Sequence, residues 1–216
     1  MTLQVRGLVL RLQIAAGLLA SPDMTFGRCI AWSVACCTRR IINQMDLALL
    51  FGDEPDPDLL KRVLLEEPLA LVAPPGAAAF PKTLRLRHLD KLELVLPGRE
   101  HGLRRIIDAA CAQQGITLNV VAEIDSLTSV KKAVAAGVGC TILSPSSVIE
   151  EVAAAQLKAA TIQEASMRRR VVCATRITRP TTAASAAVIG LATELIRGMV
   201  GSGSWPGQWI GEVRTR

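Results

Sequence analysis

Residues 122–148 read AEIDSLTSVKKAVAAGVGCTILSPSSV, and the order of residue types in this stretch decides the fold. Val120 to Ile124 is a short, β-branched apolar run, the pattern of a strand. Asp125 or Ser126 can cap the helix that follows, because a short side-chain oxygen accepts a hydrogen bond from a first-turn N–H with no partner inside the helix. Val130, Ala133 and Val134 share one face at helical spacing. Gly137 and Gly139 end the helix and turn the backbone. Cys140 to Leu143 is a second buried strand, followed by a second capping cluster, Ser144-Pro145-Ser146-Ser147. The spacing predicts a βαβ unit with a helix N-terminus at each carboxyl strand end. Such ends gather unpaired N–H groups and the positive pole of the helix, so they suit small anionic ligands. The unit points to ligand sensing rather than catalysis.

The rest of the composition agrees with an α/β protein. The chain has 216 residues, enough for one large domain or two small ones with real cores. Half of the residues are hydrophobic but only 3% are aromatic, and there is no Tyr. The cores are therefore Leu, Val, Ile and Ala, and the aromatic platforms of a single-strand nucleic-acid binder are missing. The net charge of +6 comes from 25 basic and 19 acidic residues. Arginines cluster before residue 45 and from Arg168 onward, a pattern read as a solvated basic surface, with Arg168 to Arg170 entering a strand. The six cysteines show neither a CxxC pair nor metal-ligand spacing. Cys111, Cys140 and Cys173 lie in apolar patterns and read as small core residues, while Cys36-Cys37 has no third ligand at a useful distance. Reduced thiols and a cytoplasmic protein are expected. Arg11 and Gln13 break the apolar run from Leu8 to Ala20, so neither a membrane span nor a secretion signal ending at Ala20-Ser21 is expected.

Outward from the central unit, MDLALLF at 45–51 reads as a buried strand, and Leu64 to Pro74 as extended chain. Leu92 to Leu96 is another strand. Gly102 to Gln114 is an amphipathic helix with Leu103, Ile106, Ile107 and Ala110 inward, stopped by Gly115. Arg169 to Ile177 alternates as a strand. Pro180 suits a first helical turn, and Ala183 to Val200 is a helix with Ala184, Val188, Leu191, Leu195 and Met199 on one face. Residues 201–216 lack periodicity and read as a loose tail.

In order and spacing, MDLALLF (45–51), EEPLALVAPPG (66–76), LVLPGREHGLRRIID (94–108) and DSLTSVKKAVAAGVGCTILSPSSV (125–148) resemble the effector-binding domain of LysR-type transcriptional regulators. The last segment is most similar to the branch containing nitrogen-assimilation-control regulators. The resemblance covers roughly Met45 to Met199. It implies a two-lobe, type 2 periplasmic-binding-protein-like fold with an incomplete first lobe. Lobe I would hold residues 45–88 and about 163–200, and lobe II about 89–162. Residues 1–44 form an irregular segment that matches the family poorly, and the winged helix-turn-helix of such regulators is not found, which suggests a truncated or frameshifted start.

By the same resemblance a ligand sits against carboxyl strand ends and helix N-termini. The candidates here are Pro97, Gly98 and Arg99; Ser126 and Thr128; and Ser144 and Ser146. The serines and the threonine can donate to a carboxylate, and Arg99 can pair with an anion bidentately. Ser126 and Ser144 are equally read as plain helix caps. His101 reads as a partly exposed polar residue at a helix start. No nucleophile, base and orienting group fall together, so no catalytic residue is named. GVGCT lies between helix and strand rather than strand and helix, so it is not a dinucleotide fingerprint. No metal or cofactor is expected.

The resemblance thus implies a cytoplasmic domain that senses a small anionic metabolite, assembles as a homo-oligomer, and regulates transcription within a longer parent. The chain by itself is expected not to bind operator DNA and not to bind membranes. Three other readings stay open at this level: a solute-binding protein of a transporter, a small enzyme on an α/β scaffold, and a non-functional remnant.

Overall fold

The computed structural model describes residues 31–33, 47–52, 54–77, 81–211 and 214–215. Most of the segment expected to be irregular, the Ala20-Ser21 step, Cys36-Cys37, Met45 and Asp46 lie outside the described residues. Two compact units emerge: the first comprises the chain up to Glu66 and from Arg170, the second Glu67–Arg169. This division differs from the expected lobe limits. Residues 67–88 and 163–169 belong to the second unit, because Leu69, Leu71, Leu84, Leu86, Leu89 and Met167 all join its core.

The first unit is a mixed sheet. Its strands are β1 (Ala31–Ser33), β2 (Leu47–Phe51), β3 (Leu59–Pro68), β10 (Arg168–Arg176), β11 (Gln208–Trp209) and β12 (Arg214–Thr215). They run in the order β1-β2-β10-β3-β11, with β12 also pairing β3. Strand β2 pairs in parallel with β1 and antiparallel with β10. Period-two alternation sorts the side chains: Leu47, Leu49, Val171 and Cys173 join one core cluster, and Ala48, Leu50, Val172 and Ala174 another. Helix α4 (Ala183–Gly201) covers the first of these faces. Its buried hydrophobic residues are Val188, Ala192 and Ile196, spaced by four, with Leu191, Leu195 and Met199 only partly buried beside them. The expected Val188, Leu191, Leu195 and Met199 thus all join the cluster, with its most buried line running through Val188, Ala192 and Ile196; the side chain of Ala184 lies outside the described residues. Thr182 accepts the Ser185 N–H at 3.1 Å and is the N-cap, so Pro180 stands before the helix and not in its first turn.

The segment after residue 200, expected as a loose tail, is structured through residue 211. Trp205 is buried in the α4 cluster, Trp209 pairs opposite Leu65, and the Arg197 guanidinium lies 5.5 Å from the Trp209 ring centroid. Two indoles gain enough from burial and cation–π contact to order a glycine-rich segment with no periodicity.

The second unit contains β4 (Ala70–Ala73), β5 (Thr83–Leu84), β6 (Glu93–Leu96), β7 (Asn119–Glu123), β8 (Thr141–Leu143) and β9 (Lys158–Ile162). Its helices are α1 (Gly102–Gln113), α2 (Leu127–Ala135) and α3 (Ile149–Ala153). Strands β5-β9-β4-β8 form one ladder and β6-β7 another, and a parallel bridge between Leu94 and Cys140 joins them. The central βαβ unit is therefore real: α2 leads from β7 back into the sheet on the far side of β6. Gly137 takes φ +80°, a left-handed conformation that favours glycine. At Gly139 a Cβ would lie 2.7 Å from the Glu93 carbonyl oxygen, so only glycine admits the bridge that follows. The core is aliphatic, with Ile107, Val130, Val134, Ile142 and Leu96 packed together.

Cys111 and Cys173 are buried, and Cys111, Cys140 and Cys173 carry no disulfide. Burial pushes the thiols of Cys111 and Cys173 up to about 11. Among the described residues no helix is long and apolar enough to cross a membrane, and no group of His, Cys, Asp or Glu is arranged to hold a metal ion.

Candidate functional site

The polar residues of the second unit gather where β6, β7 and β8 end. After β6 the chain passes through Pro97 and Gly98, and the His101 N–H closes a turn onto the Gly98 carbonyl at 2.9 Å. Arg99 and Glu100, at the middle of that turn, are exposed. The β6–β7 ladder continues to an Ile124 N–H bond with the Leu96 carbonyl. Beyond it the Gly98 N–H donates to Asp125 Oδ1 at 3.0 Å, tying the two strand ends together. Asp125 is thus committed to Gly98, and the cap of α2 falls to Ser126.

Ser126 accepts the Ser129 N–H at 3.5 Å, the long limit of a hydrogen bond, so its hydroxyl keeps most of its capacity for another partner. The first backbone bond of α2 runs from the Val130 N–H to the Ser126 carbonyl. The N–H groups of Leu127 and Thr128 precede it and have no partner within the helix. Ser126 and Thr128 are both exposed. Two exposed residues bearing hydroxyls, and two backbone N–H groups without helical partners, therefore stand at the positive end of a helix.

Behind the β6 end lies a buried cation. Arg104 donates to Asp108 at 2.8 Å, to Glu123 at 3.1 Å and to the Pro97 carbonyl at 3.2 Å. Burial by itself would lower the Arg104 pKa, but the bonds and charges of Asp108 and Glu123 outweigh it and raise the value. Pro97 is thus a backbone anchor. His101 caps α1, its Nδ1 accepting the Leu103 N–H at 3.1 Å, which leaves the proton on Nε2 in the neutral ring. Burial lowers its pKa, opposed by Asp125 and aided by Arg169 and Arg105.

At the end of β8 the expected second cap is not made. Ser144 precedes a 3-10 turn, Pro145–Ser147, with no side-chain capping bond. Its hydroxyl instead donates to Glu67 Oε2 at 2.6 Å. Ser146 lies 2.6 Å from the Ser144 hydroxyl and 3.1 Å from the same carboxylate oxygen. Arg169 Nε donates to the other oxygen, Glu67 Oε1. Glu67 and Ser144 are fully buried. A protein carboxylate thus fills the set of donors that the sequence reading offered to a ligand. Arg169 is correspondingly not a solvated strand entry: its side chain is 11% exposed, whereas that of Arg170, paired with Glu66, is 47% exposed.

The structure joins Pro97, Gly98 and Arg99 to Ser126 and Thr128 through the Gly98–Asp125 bond, and joins Ser144 to Ser146 through Glu67. Glu67, Arg169 and Arg104 were not among the expected site residues. The available signal for Glu67 was a carboxylate set in the apolar run LLEEPLALV (64–72).

The family description "LysR substrate binding domain" matches residues 34–197. The HTH-type transcriptional regulator BbuR of Bordetella bronchiseptica is 33% identical over 176 residues, covering 78% of this chain and 52% of BbuR. The nitrogen assimilation regulatory protein nac of Escherichia coli is 28% identical over 116 residues, covering 53% of this chain and 37% of nac. The chain spans about half the length of the first of these relatives and less of the second. Among solved structures, the effector-binding domain of QuiR in complex with shikimate matches with a TM-score of 0.67 at 20% identity, covering 77% of this chain and 79% of that one. The regulatory domain of Synechocystis PCC6803 CcmR in complex with 2-PG matches with a TM-score of 0.68 at 20% identity, covering 77% and 82%. At these identities the likeness is one of fold, the type 2 periplasmic-binding-protein-like arrangement of mixed sheets.

Proposed function

Because this chain belongs to the LysR substrate-binding domain family, we propose that it is the metabolite-sensing part of a transcriptional regulator and binds a small anion at the carboxyl ends of β6 and β7. Arg99, Ser126 and Thr128 are the contacts, with Ser146 at the margin; Gly98 is not one of them, because its N–H is held by Asp125 and its carbonyl by the His101 N–H. Pro97 anchors the turn through its carbonyl, and Ser144 holds Glu67 instead of touching the ligand. The observation that carries this reading is the exposed set of Ser126 and Thr128 hydroxyls at a helix start whose own cap bond is long. Such a set holds an oxyanion without requiring a catalytic group, which accords with relatives named as regulators.

The ligand acts by shifting a conformational equilibrium, which requires that it bind one state better than the other. The response is read by a partner subunit in a homo-oligomer, in the cytoplasm where the regulated DNA lies. This part of the regulator does not itself contact operator DNA. Thermal unfolding of the purified chain against a panel of carboxylated and phosphorylated metabolites tests the reading. A bound ligand stabilises by RT ln(1 + [L]/Kd), so a saturable rise in midpoint with at least one member is expected. That rise should shrink in Ser126→Ala and Thr128→Ala; a flat response across the panel would remove the proposal.

A further inference from the structure

We propose that Glu67 is a resident anion that closes the Ser144–Ser146–Arg169 donor set to charged ligand groups, so this end of the site takes an uncharged part of the effector. The inference rests on the functional reading above and adds the polarity of the ligand to it. Two hydroxyls and a guanidinium converging on one carboxylate form the kind of set that recognises a ligand carboxylate. Here the carboxylate is the protein's own, held from both sides: Oε1 by Arg169 and Oε2 by Ser144 and Ser146. Each hydroxyl has one proton to give. With Ser144 and Ser146 both donating to Glu67 Oε2, both protons are spent inside the network. What remains on the partly exposed Ser146 is acceptor capacity backed by a carboxylate. That combination favours a hydroxyl or amide donor on the ligand and repels a second anion. At the Ser126 and Thr128 pole, by contrast, no carboxylate among the described residues bonds to the hydroxyls, the nearby Asp125 being engaged by the Gly98 N–H.

Replacing the carboxylate tests this. Glu67→Ala removes the negative charge and opens the space the carboxylate filled. Acetate is the probe, titrated against the thermal unfolding midpoint of the full chain at fixed ionic strength with chloride as control. We expect a saturable rise in the midpoint of Glu67→Ala that is absent in the wild type. Adding Arg169→Gln should abolish that rise. No rise in Glu67→Ala overturns the inference, as does a rise that survives Arg169→Gln. If Glu67→Ala folds only with acetate present, that rescue is the expected result, and misfolding that acetate does not correct overturns the inference. Failure of the functional reading registers separately, as unchanged metabolite binding in Ser126→Ala.

Discussion

Ser126 and Ser144 occupy equivalent places in the second unit and do opposite work. Each follows a strand and precedes a helical turn. Ser126 is exposed, caps α2 through a long bond, and keeps its hydroxyl available. Ser144 is fully buried, caps nothing, and gives its proton to a carboxylate 77 residues away in the chain. One position is open to solvent and the other is closed by the protein's own anion. On the proposed reading, a strand end serves as a ligand contact only where no internal group claims its donors.

The comparison breaks most visibly on the closed side. Glu67→Ala leaves Arg169 beside a cavity without its carboxylate, and breaking a buried pair costs about 3–5 kcal/mol. Urea unfolding should show a loss of that order; a loss close to that of Ser126→Ala would mean the Glu67 network is not structural. Ser144→Ala removes one donor from a buried carboxylate and should cost about 1–3 kcal/mol in the same assay. On the open side, Ser126→Ala forfeits only a long capping bond, so its cost should sit near the low end of about 0.5–2 kcal/mol. Finding Ser126→Ala more damaging than Ser144→Ala would invert the assignment.

A smaller effect lies in pH. Burial lowers the His101 pKa in the folded protein, so the folded state binds fewer protons than the unfolded chain just below the ordinary value of 6.5. Stability then rises with pH through that window, and it is lost as pH falls below 6.5 toward the folded value. Protonation also removes the Nδ1 acceptor that caps α1. His101→Asn retains a capping oxygen without a titrating group. Urea midpoints followed against pH should therefore slope less in that variant, and parallel profiles would assign the slope to other groups.

Local features are legible in the sequence itself. The β7–α2 step, Ser126 as one of two candidate caps, the glycine turn and the buried strand at Cys140–Leu143 follow from short-range rules of spacing and capping. Gly139 is a case where the rule and the packing agree, since the backbone bridge to β6 leaves no room for a Cβ. Partners distant in sequence were not legible. Arg169 meets Glu67 across 102 residues, and nothing local distinguishes it from the solvated arginines beside it. The same holds for the tail, where Trp205 and Trp209 order a segment that lacks any period. In α4 the expected Val188, Leu191, Leu195 and Met199 all join the core cluster, but its most buried line, Val188–Ala192–Ile196, was not legible, because an alanine-rich helix presents several faces of nearly equal apolarity and the sheet beneath selects among them.

The most direct test of the account is a calorimetric titration of the wild type and of Ser126→Ala/Thr128→Ala with the anionic metabolite that gives the largest thermal shift. The account requires saturable binding by the wild type, weakened tenfold or more in the double variant while the variant stays folded. Equal affinity in the two proteins would contradict it and move the ligand away from the α2 start.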